Sequence, residues 1–376
     1  MKPFVFSLRT ACLFLLPLTV AMNATAREAP GKSGTSAKIR KASLDAGETG
    51  EFANFAQWQE VADFIHQMVI RHGFDQGTLE TIMRKTRYVE SAIQLMKPAP
   101  PGKPKNWAAY RARFVEPMRI NAGIRFWDEH ADALARAEHD YGVPAEIIVG
   151  IIGVETIFGR NTGNFRVMDA ITTLAFAYPD TPTRMARMMY FRGELENTLL
   201  FARESGIDPF SLLGSYAGAI GLPQFMPGSI LRFAVDFDGD GRIDLRNSAL
   251  DAIGSVANFL ALHGWQRGEP TVFPASIDAS DENDNKRWQN FLGQGLEAKF
   301  TLDELEQSGI MPVGEPSSDT LYGLVDLQNG FDPTAYWLGT ANFFAITRYN
   351  RSFFYAMSVI DLARAVREAR SYVSRN

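Results

Sequence analysis

One glutamate lies in an unusually apolar stretch of the chain, PAEIIVGIIGVETIFG (residues 144–159). Ile151 and Ile152 precede Glu155 by about one helical turn, Phe158 follows it, and no Lys or Arg lies three or four residues away. A carboxyl group in apolar surroundings resists ionisation, so it can stay protonated near neutral pH and donate a proton as a general acid. The alternative is a structural carboxylate that pairs with a distant Arg or caps a neighbouring helix. The helix alone does not decide between the two.

A second segment, SYAGAIGLPQFMPGS (215–229), combines small residues with hydrogen-bonding side chains. Its glycines allow the backbone to approach a polymeric ligand closely, while Ser215 and Gln224 supply hydrogen bonds. A sharp turn between two helices needs one or two glycines, whereas this segment has Gly218, Gly221 and Gly228. A purely structural turn is the alternative. The segment favours ligand binding and therefore a catalytic role for Glu155.

Three aspartates alternate at positions 236, 238 and 240 and are followed by Gly241, as in the first half of an EF-hand-type calcium loop. Without a cation, carboxylates at this spacing repel one another. The twelfth position is Asn247 instead of a bidentate glutamate, and Asp251 can close a longer loop. The predicted ligands of a structural Ca²⁺ are Asp236, Asp238, Asp240, the backbone carbonyl of Arg242, and Asp251. A solvated acidic turn is the alternative.

The elements around these motifs are predicted to be mainly helical. Apolar residues recur at three- and four-residue steps from Phe55 to Val69, and the proline-rich run MKPAPPGKP (96–104) must interrupt regular structure. Residues from about 268 to 335 are richer in Asp, Gly, Pro and Ser, which predicts loops with small strands. Further helices are predicted over residues 126–141, 144–159, 185–204, 220–235, 249–263 and 337–373.

The N-terminal region has the composition of a secretory signal over residues 1–26. Lys2 and Arg9 precede an apolar run, and small residues follow at 24–26. A retained membrane anchor is the alternative. Residues 27–50 are predicted to be a flexible leader, and 51–376 the catalytic region. Cys12 is the only cysteine, so cleavage after Ala26 leaves a chain without disulfides, and we expect this chain in the periplasm.

Composition and motif searches exclude several other functions. The chain is 46% hydrophobic and 22% charged, which is typical of a globular protein, and its formal net charge of −5 argues against nucleic acid as a partner. The five histidines show no zinc spacing, and the sequence contains no P-loop, dinucleotide fingerprint or G-x-S-x-G turn.

Four segments in order resemble the membrane-bound lytic murein transglycosylase B family. They are YGVPAEIIVGIIGVETIFGR (141–160), SYAGAIGLPQFMPGS (215–229), DAIGSVANFLALHGW (251–265) and ITRYNRSFFYAMSV (346–359). The resemblance implies a lysozyme-like catalytic core at about 123–270 with an additional helical region. It also implies a small loop-rich or β subdomain at about 271–335, and C-terminal helices over 336–376 that return to the substrate groove.

The same resemblance implies roles for individual residues. Glu155 matches the catalytic acid of the family's VET motif, and Asp251 is favoured as a calcium ligand. Arg184 is an alternative to Arg187, because the segment DTPTRMARMM is longer than expected, and Phe259 stands where a tyrosine is expected. The implied substrate-binding residues are Ser215, Gln224, Tyr349, Asn350, Tyr110, Arg187, Tyr190 and Tyr355.

The resembling segments offer one carboxylate, whereas ordinary glycosidases use two. Asp169 is a further candidate, and Glu194 and Glu196 are predicted to form surface ion pairs on a solvated helix face. We therefore expect Glu155 to act as both acid and base in lysis of the bond between N-acetylmuramic acid (MurNAc) and N-acetylglucosamine (GlcNAc). The expected product is a 1,6-anhydro ring, and no cofactor is needed for this catalysis.

Two other functions stay open. One is a hydrolytic muramidase on the same scaffold, and the other is a non-catalytic peptidoglycan-binding scaffold protein. The expected partners are glycan strands of peptidoglycan and enzymes that build or hydrolyse the cell wall, with the chain itself a monomer.

Overall fold

The computed structural model describes residues 55–98, 102, 104–278 and 286–373. The predicted signal and leader lie outside these residues. No helix in the described part of the chain is long and apolar enough to cross a membrane. The described residues form two compact units. We call residues 104–111 and 268–358 the sheet unit, and the described residues within 21–103, 112–267 and 359–376 the helical unit.

The fold is mainly α, as predicted. In chain order the α-helices are α1 (Gln59–His72), α2 (Gln76–Lys85), α3 (Glu90–Met96), α4 (Trp107–Arg111), α5 (Pro117–Glu129), α6 (Ala131–Tyr141), α7 (Ala145–Thr156), α8 (Val167–Ala177), α9 (Arg184–Glu204), α10 (Pro227–Phe233), α11 (Ala249–Leu262), α12 (Leu302–Glu306), α13 (Ala341–Tyr349) and α14 (Phe353–Val373). The strands are β1 (Phe165–Arg166), β2 (Leu213–Gly214), β3 (Val272–Ile277), β4 (Ile310–Pro312), β5 (Gly323–Asn329) and β6 (Asp332–Gly339). Short 3₁₀ helices occupy Phe55–Gln57, Pro209–Ser211 and Arg287–Phe291.

Helix α7 lies in the core of the helical unit. It begins after Pro144, whose fixed φ suits a helix start, and the Glu138 carboxylate accepts a hydrogen bond from the Ala145 N–H at 3.0 Å. Two glycines let other chain segments approach it closely. A Cβ on Gly150 would lie 2.6 Å from the Val359 carbonyl oxygen, so only glycine fits there. The start and the packing of α7 are thus both determined by neighbouring elements.

The sheet unit contains a four-stranded antiparallel sheet in the order β4-β3-β6-β5. Its core is apolar and includes Tyr322, Leu324 and Leu338. Helix α4 is bound to the hairpin between β5 and β6, where the Asn329 side-chain oxygen accepts a hydrogen bond from the Ala108 N–H at 2.9 Å. Helix α13 follows β6 directly and begins after Thr340, whose hydroxyl accepts from the next turn.

Three sequence predictions about elements were wrong in part. The helix predicted over 126–141 is two helices, since the chain changes direction at His130 (φ −118°, ψ 28°). The first half of the helix predicted over 220–235 is a tight turn, in which the Ile220 and Phe225 N–H groups and carbonyls pair with each other. The predicted helical region from 336 begins only at α13, because β6 continues to Gly339. The aromatic residues of β6 suit a strand better than a helix.

Candidate active site

Glu155 is the second-to-last residue of α7, which ends three residues earlier than the helix predicted over 144–159. The helix ends at Thr156, because Ile157 (φ 53°) and Phe158 (φ 56°) adopt left-handed backbone conformations that cannot continue a right-handed helix. Ten of the 12 residues of α7 are buried, and its two glutamates are the exceptions. Glu155 is half-buried, so a ligand can reach a carboxyl group on an otherwise buried helix.

The backbone is strained where this site is built. Positive φ angles are uncommon for residues other than glycine, and a β-branched residue such as Ile157 is an outlier there. Within the described residues, three non-glycine residues have positive φ, namely Ile157, Phe158 and Gln224. All three lie in the two motifs identified in the sequence. Such conformations cost about 1–2 kcal/mol each and persist only where surrounding contacts impose them.

Hydrogen bonds join the end of α7 to the glycine-rich motif. The buried Thr156 hydroxyl donates to the Leu222 carbonyl oxygen at 2.9 Å, and the Gly159 N–H donates to that hydroxyl oxygen at 3.0 Å. The Gln224 side chain donates to the Thr162 carbonyl oxygen at 3.1 Å. The residue next to Glu155 is therefore held by the motif that was predicted to bind ligand. Sequence reasoning missed the role of Thr156.

Ser215 and Gln224 have part of their bonding capacity engaged within the motif. The Ser215 hydroxyl oxygen accepts a hydrogen bond from the Ala219 N–H at 3.0 Å, which closes a five-residue turn. The hydroxyl proton of Ser215 is then the atom suited to donate to a ligand. Gln224 uses its amide nitrogen for its bonds to Thr162 and Gly221, so its amide oxygen is the group suited to accept from a ligand. Both residues are half-buried.

Helix α9 contributes an aromatic cluster around a buried cation. Arg187 is 6% exposed, and its Nε donates to the Tyr178 hydroxyl at 3.2 Å. Its guanidinium carbon lies 5.6, 5.8 and 5.5 Å from the ring centres of Tyr178, Tyr190 and Phe191. Arg184 is exposed and donates to the Tyr178 backbone oxygen. Arg187, and not Arg184, therefore lies among the aromatic residues, and its substrate role stays a prediction.

The prediction of a solvated face for both Glu194 and Glu196 was wrong for Glu194. Glu194 is 5% exposed and accepts a hydrogen bond from the Gly228 N–H at 2.8 Å. Glu196 does form the expected ion pair, with Arg71 at 4.0 Å, and it also shares a hydrogen bond with His72 at 2.7 Å. Positions 187, 191, 194 and 198 are all buried and follow the helical period. That periodicity is the sequence signal that identifies Glu194 as inward-facing.

The remaining predicted substrate contacts lie in the sheet unit. Tyr349 ends α13 and its ring lies 6.3 Å from that of Tyr355 in a stacked arrangement, with Asn350 following as the C-cap residue. Tyr110 is in α4, where its ring contacts Phe354 edge to face at 5.4 Å. The structure thus groups these four residues in one unit. The helical unit contains the others, Glu155, Ser215, Gln224, Arg187 and Tyr190.

The predicted calcium loop brings three carboxylates together. Oxygens of Asp236, Asp238 and Asp251 lie within 4.8 Å of one another. Asp251 is buried, and its carboxylate also holds the loop by accepting from the N–H groups of Phe237 and Asp244, each at 2.8 Å. Asp240 is not in this group among the described residues, and it accepts from the Arg242 N–H at 2.8 Å. Converging carboxylate oxygens fit a hard divalent cation such as Ca²⁺.

Comparisons with known proteins agree with this geometry. A family model described as "Transglycosylase SLT domain" matches residues 56–364. The chain is 42% identical over 332 residues to membrane-bound lytic murein transglycosylase B of Escherichia coli (strain K12), which covers 85% of each protein.

Two solved structures extend the comparison. Catenated lytic transglycosylase SltB1 from Pseudomonas aeruginosa is 44% identical, with a TM-score of 0.76 over 84% of this chain and 100% of that one. The Escherichia coli lytic transglycosylase Slt35 in complex with calcium is 41% identical, with a TM-score of 0.73 over 85% and 96% of the two chains. The resemblance inferred from four segments and the lysozyme-like fold class are confirmed, and the chain belongs to the transglycosylase SLT domain family.

Proposed function

We propose that this lytic transglycosylase cleaves the β-1,4 bond between MurNAc and GlcNAc in peptidoglycan and leaves 1,6-anhydromuramyl ends. The observation that carries the proposal is the half-buried Glu155 at the end of a buried helix, next to a residue that is bonded to the glycine-rich motif. The names of the relatives point to the same substrate, since murein is peptidoglycan.

In the first step, protonated Glu155 donates its proton to the oxygen that links the two sugars. The position of Glu155 supports this role, because it is the half-buried side chain at the end of an otherwise buried helix, where a substrate can reach its carboxyl group. The C1–O bond then breaks, and GlcNAc leaves with the proton on its O4 hydroxyl.

The positive charge that develops at C1 of MurNAc is met by the oxygen of the substrate's own 2-acetamido group. This route needs no second carboxylate. The other acidic candidates named from the sequence support it, because each has a contact elsewhere in the protein. Asp169 pairs with Arg166 at 2.6 Å, Glu196 with His72 at 2.7 Å, and Glu194 with the Gly228 N–H. The Ser215 hydroxyl is suited to orient the acetamido group.

In the second step, the Glu155 carboxylate removes the proton from the C6 hydroxyl of MurNAc, and O6 attacks C1. A 1,6-anhydro ring forms, the acetamido group is released, and Glu155 regains its proton. No water is consumed. The stacked rings of Tyr349 and Tyr355 are suited to bind sugar faces, which present apolar C–H groups to aromatic rings.

The mass of the released muropeptides tests this proposal. Purified sacculi are digested with the protein, and the products are identified by mass spectrometry with and without prior reduction by borohydride. We expect anhydro-muramyl products, which are lighter by one water than hydrolysis products and resist reduction. Reducing-end products would mean a hydrolytic muramidase, and binding to sacculi without any product would mean a scaffold protein.

We further propose that the protein acts in the periplasm after export. The predicted signal over residues 1–26 supports export, and peptidoglycan lies outside the cytoplasmic membrane. The relative with 42% identity is named as membrane-bound.

We also propose that Asp236, Asp238, Asp240, the Arg242 carbonyl and Asp251 bind a structural Ca²⁺, as supported by the converging carboxylates of Asp236, Asp238 and Asp251 and by the relative solved with calcium. Excess Ca²⁺ is then expected to raise the free energy of unfolding by about 2–3 kcal/mol at a concentration one hundred times Kd. Melting temperatures measured with Ca²⁺ and with the chelator EGTA test this. Asp238→Asn is expected to abolish the difference.

The matched control for calcium binding is Asp132→Asn, the same chemical change at an exposed carboxylate in the first turn of α6, outside the loop. The calcium-dependent rise in melting temperature is expected to persist in this variant. Equal melting temperatures of the unaltered protein in both buffers would contradict the site.

A further inference from the structure

Arg119 is a buried cation that the proposed reaction does not use. It lies in the first turn of α5 and is 5% exposed. Burial lowers the pKa of its guanidinium, while the carboxylate of Glu116, 3.9 Å away, raises it. A guanidinium stays charged in proteins, so this position holds a positive charge at a cost in desolvation. An apolar residue would fill the same space without that cost.

The Arg119 guanidinium donates hydrogen bonds to three backbone carbonyl oxygens. Its Nε donates to Gly153 in α7 at 2.9 Å. Its Nη1 donates to Arg113 at 2.6 Å and to Phe114 at 3.3 Å, and both of these residues lie in the turn that precedes α5. The donors of a planar guanidinium have fixed directions. The bonds therefore fix the end of α7 relative to α5 and to the turn before it.

The bond to Gly153 acts on the last turn of α7, which carries Glu155. The Gly153 carbonyl already accepts a hydrogen bond from the Ile157 N–H at 3.2 Å. A carbonyl oxygen can accept two bonds, so Arg119 restrains a group that has another partner. On the other side of the acid, the Thr156 hydroxyl is bonded to the glycine-rich motif. The backbone of Glu155 is thus held from two sides, by α5 and by the motif.

The inward face of α5 also fits the turn that follows Glu155. Arg119, Gly123 and Phe126 are buried and follow the helical period. A Cβ at Gly123 would lie 3.1 Å from the Phe158 ring, and the Phe126 ring packs on that ring at 5.1 Å between centres. The same face of α5 therefore contacts the last turn of α7 and the left-handed turn after it.

We propose that Arg119 is a positioning residue of the lytic reaction, whose guanidinium fixes the last turn of α7 through the Gly153 carbonyl and thereby sets the position of the Glu155 carboxyl group. This inference rests on the proposed function. It gives a role to a residue that the family resemblance left without one. Because Arg119 acts through the backbone of α7, its loss is expected to affect turnover and not substrate binding.

The substitution Arg119→Met tests this role. Methionine has a long, adaptable side chain that fills buried space, but it has neither the charge nor the donors of arginine. We expect kcat on purified glycan strands to fall about 10-fold to 100-fold, since misplacement of a reacting group by about 1 Å has an effect of this size. KM is expected to change less than about twofold, because Ser215 and Gln224 keep their bonds within the 215–229 motif. A role in stability alone would lower the melting temperature and leave the kcat of the folded protein unaltered.

Arg203→Met is the matched control. Arg203 also donates to a backbone carbonyl oxygen, that of His72, at 2.8 Å. Its guanidinium carbon lies 4.1 Å from the centre of the Phe74 ring, and that of Arg119 lies 5.3 Å from the centre of the Phe114 ring. Arg203 is exposed and lies in the last turn of α9. The same chemical change there is expected to leave both kcat and KM unaltered.

Each variant is assayed well below its melting temperature, so that loss of folded protein does not contribute. Unaltered kcat in Arg119→Met, or a loss that appears in KM instead, would overturn the proposal. If Arg119→Met does not fold, Arg119→Lys takes its place. Lysine keeps the charge but lacks the planar set of donors, so a lower kcat is again expected and an unaltered kcat has the same meaning. The product mass of the unaltered protein reports separately on the proposed function.

Discussion

Replacing Glu155 with glutamine is expected to lower the rate of anhydro-muramyl release from sacculi at least about 10³-fold. A positioned acid or base typically contributes 10²–10⁴-fold, and Glu155 is proposed to act as both in turn. Glutamine has nearly the same shape but can neither donate a proton to the glycosidic oxygen nor accept one from O6. The residue is half-buried and glutamine has nearly the same shape as the protonated acid, so the substitution is expected to change the melting temperature little. Mass spectrometry of the products and thermal unfolding measure the two effects.

Glu146→Gln is the matched control for this experiment. Glu146 lies in the first turn of the same helix, and its carboxylate pairs with Arg367 at 2.7 Å. The same chemical change there is expected to alter the rate less than about twofold, because a partly exposed ion pair contributes little. If Glu155→Gln instead releases anhydro products at the unaltered rate, the acid is a different residue and the proposed mechanism is wrong.

Gly163→Ala is expected to destabilise the protein by about 3 kcal/mol or more. Gly163 has φ +87°, where an alanine costs about 1–2 kcal/mol, and its Cβ would lie 2.1 Å from the Gly214 carbonyl oxygen. The neighbouring atom is backbone in β2, which pairs with β1, so neither side can move without breaking that pairing. Overpacking of this kind adds about 1–3 kcal/mol. Urea unfolding measures the change in free energy.

The same substitution at Gly193 separates this steric effect from the general effect of alanine. Gly193 lies within α9, and no atom lies within 4 Å of the position its Cβ would take. Gly193→Ala is expected to stabilise the protein by about 0.5–1 kcal/mol, because glycine lowers helix propensity. An unchanged midpoint of unfolding for Gly163→Ala would show that β1 and β2 are not held together as described.

The sequence was sufficient to predict most of the helical framework, since apolar periodicity and helix caps are local signals. It also identified α7 as buried, because that helix is apolar on all sides. The end of α7 could not be predicted in this way. Ile157 and Phe158 do not favour left-handed conformations by themselves, and contacts such as that of Thr156 with Leu222, 66 residues away, impose them.

Other differences had a signal in the sequence. Gly218, Gly221 and Pro223 are turn residues, and their spacing argues against a helix that begins at residue 220. The inward position of Glu194 follows from the helical period of α9, whereas its charged neighbours suggested a solvated face. In the calcium loop, the carboxylates of Asp236 and Asp238 lie near that of Asp251, which is 13 residues or more further along the chain, so the fold of the loop and not local spacing brings Asp251 to them. The calcium ligands stay a prediction.

The ring of Phe158 packs in the hydrophobic core close to the proposed active site. It packs against the Phe126 ring at 5.1 Å between centres, and the positions of Cβ atoms added to Gly123 and Gly153 would lie 3.1 and 2.7 Å from it. The side chain therefore occupies the space that these two glycines leave between α5 and α7. A larger residue at either position would displace the ring, and the ring belongs to the strained turn three residues after Glu155. The position of Glu155 thus depends on how the hydrophobic core packs around Phe158. Larger side chains in that core can therefore alter catalysis without contacting the substrate.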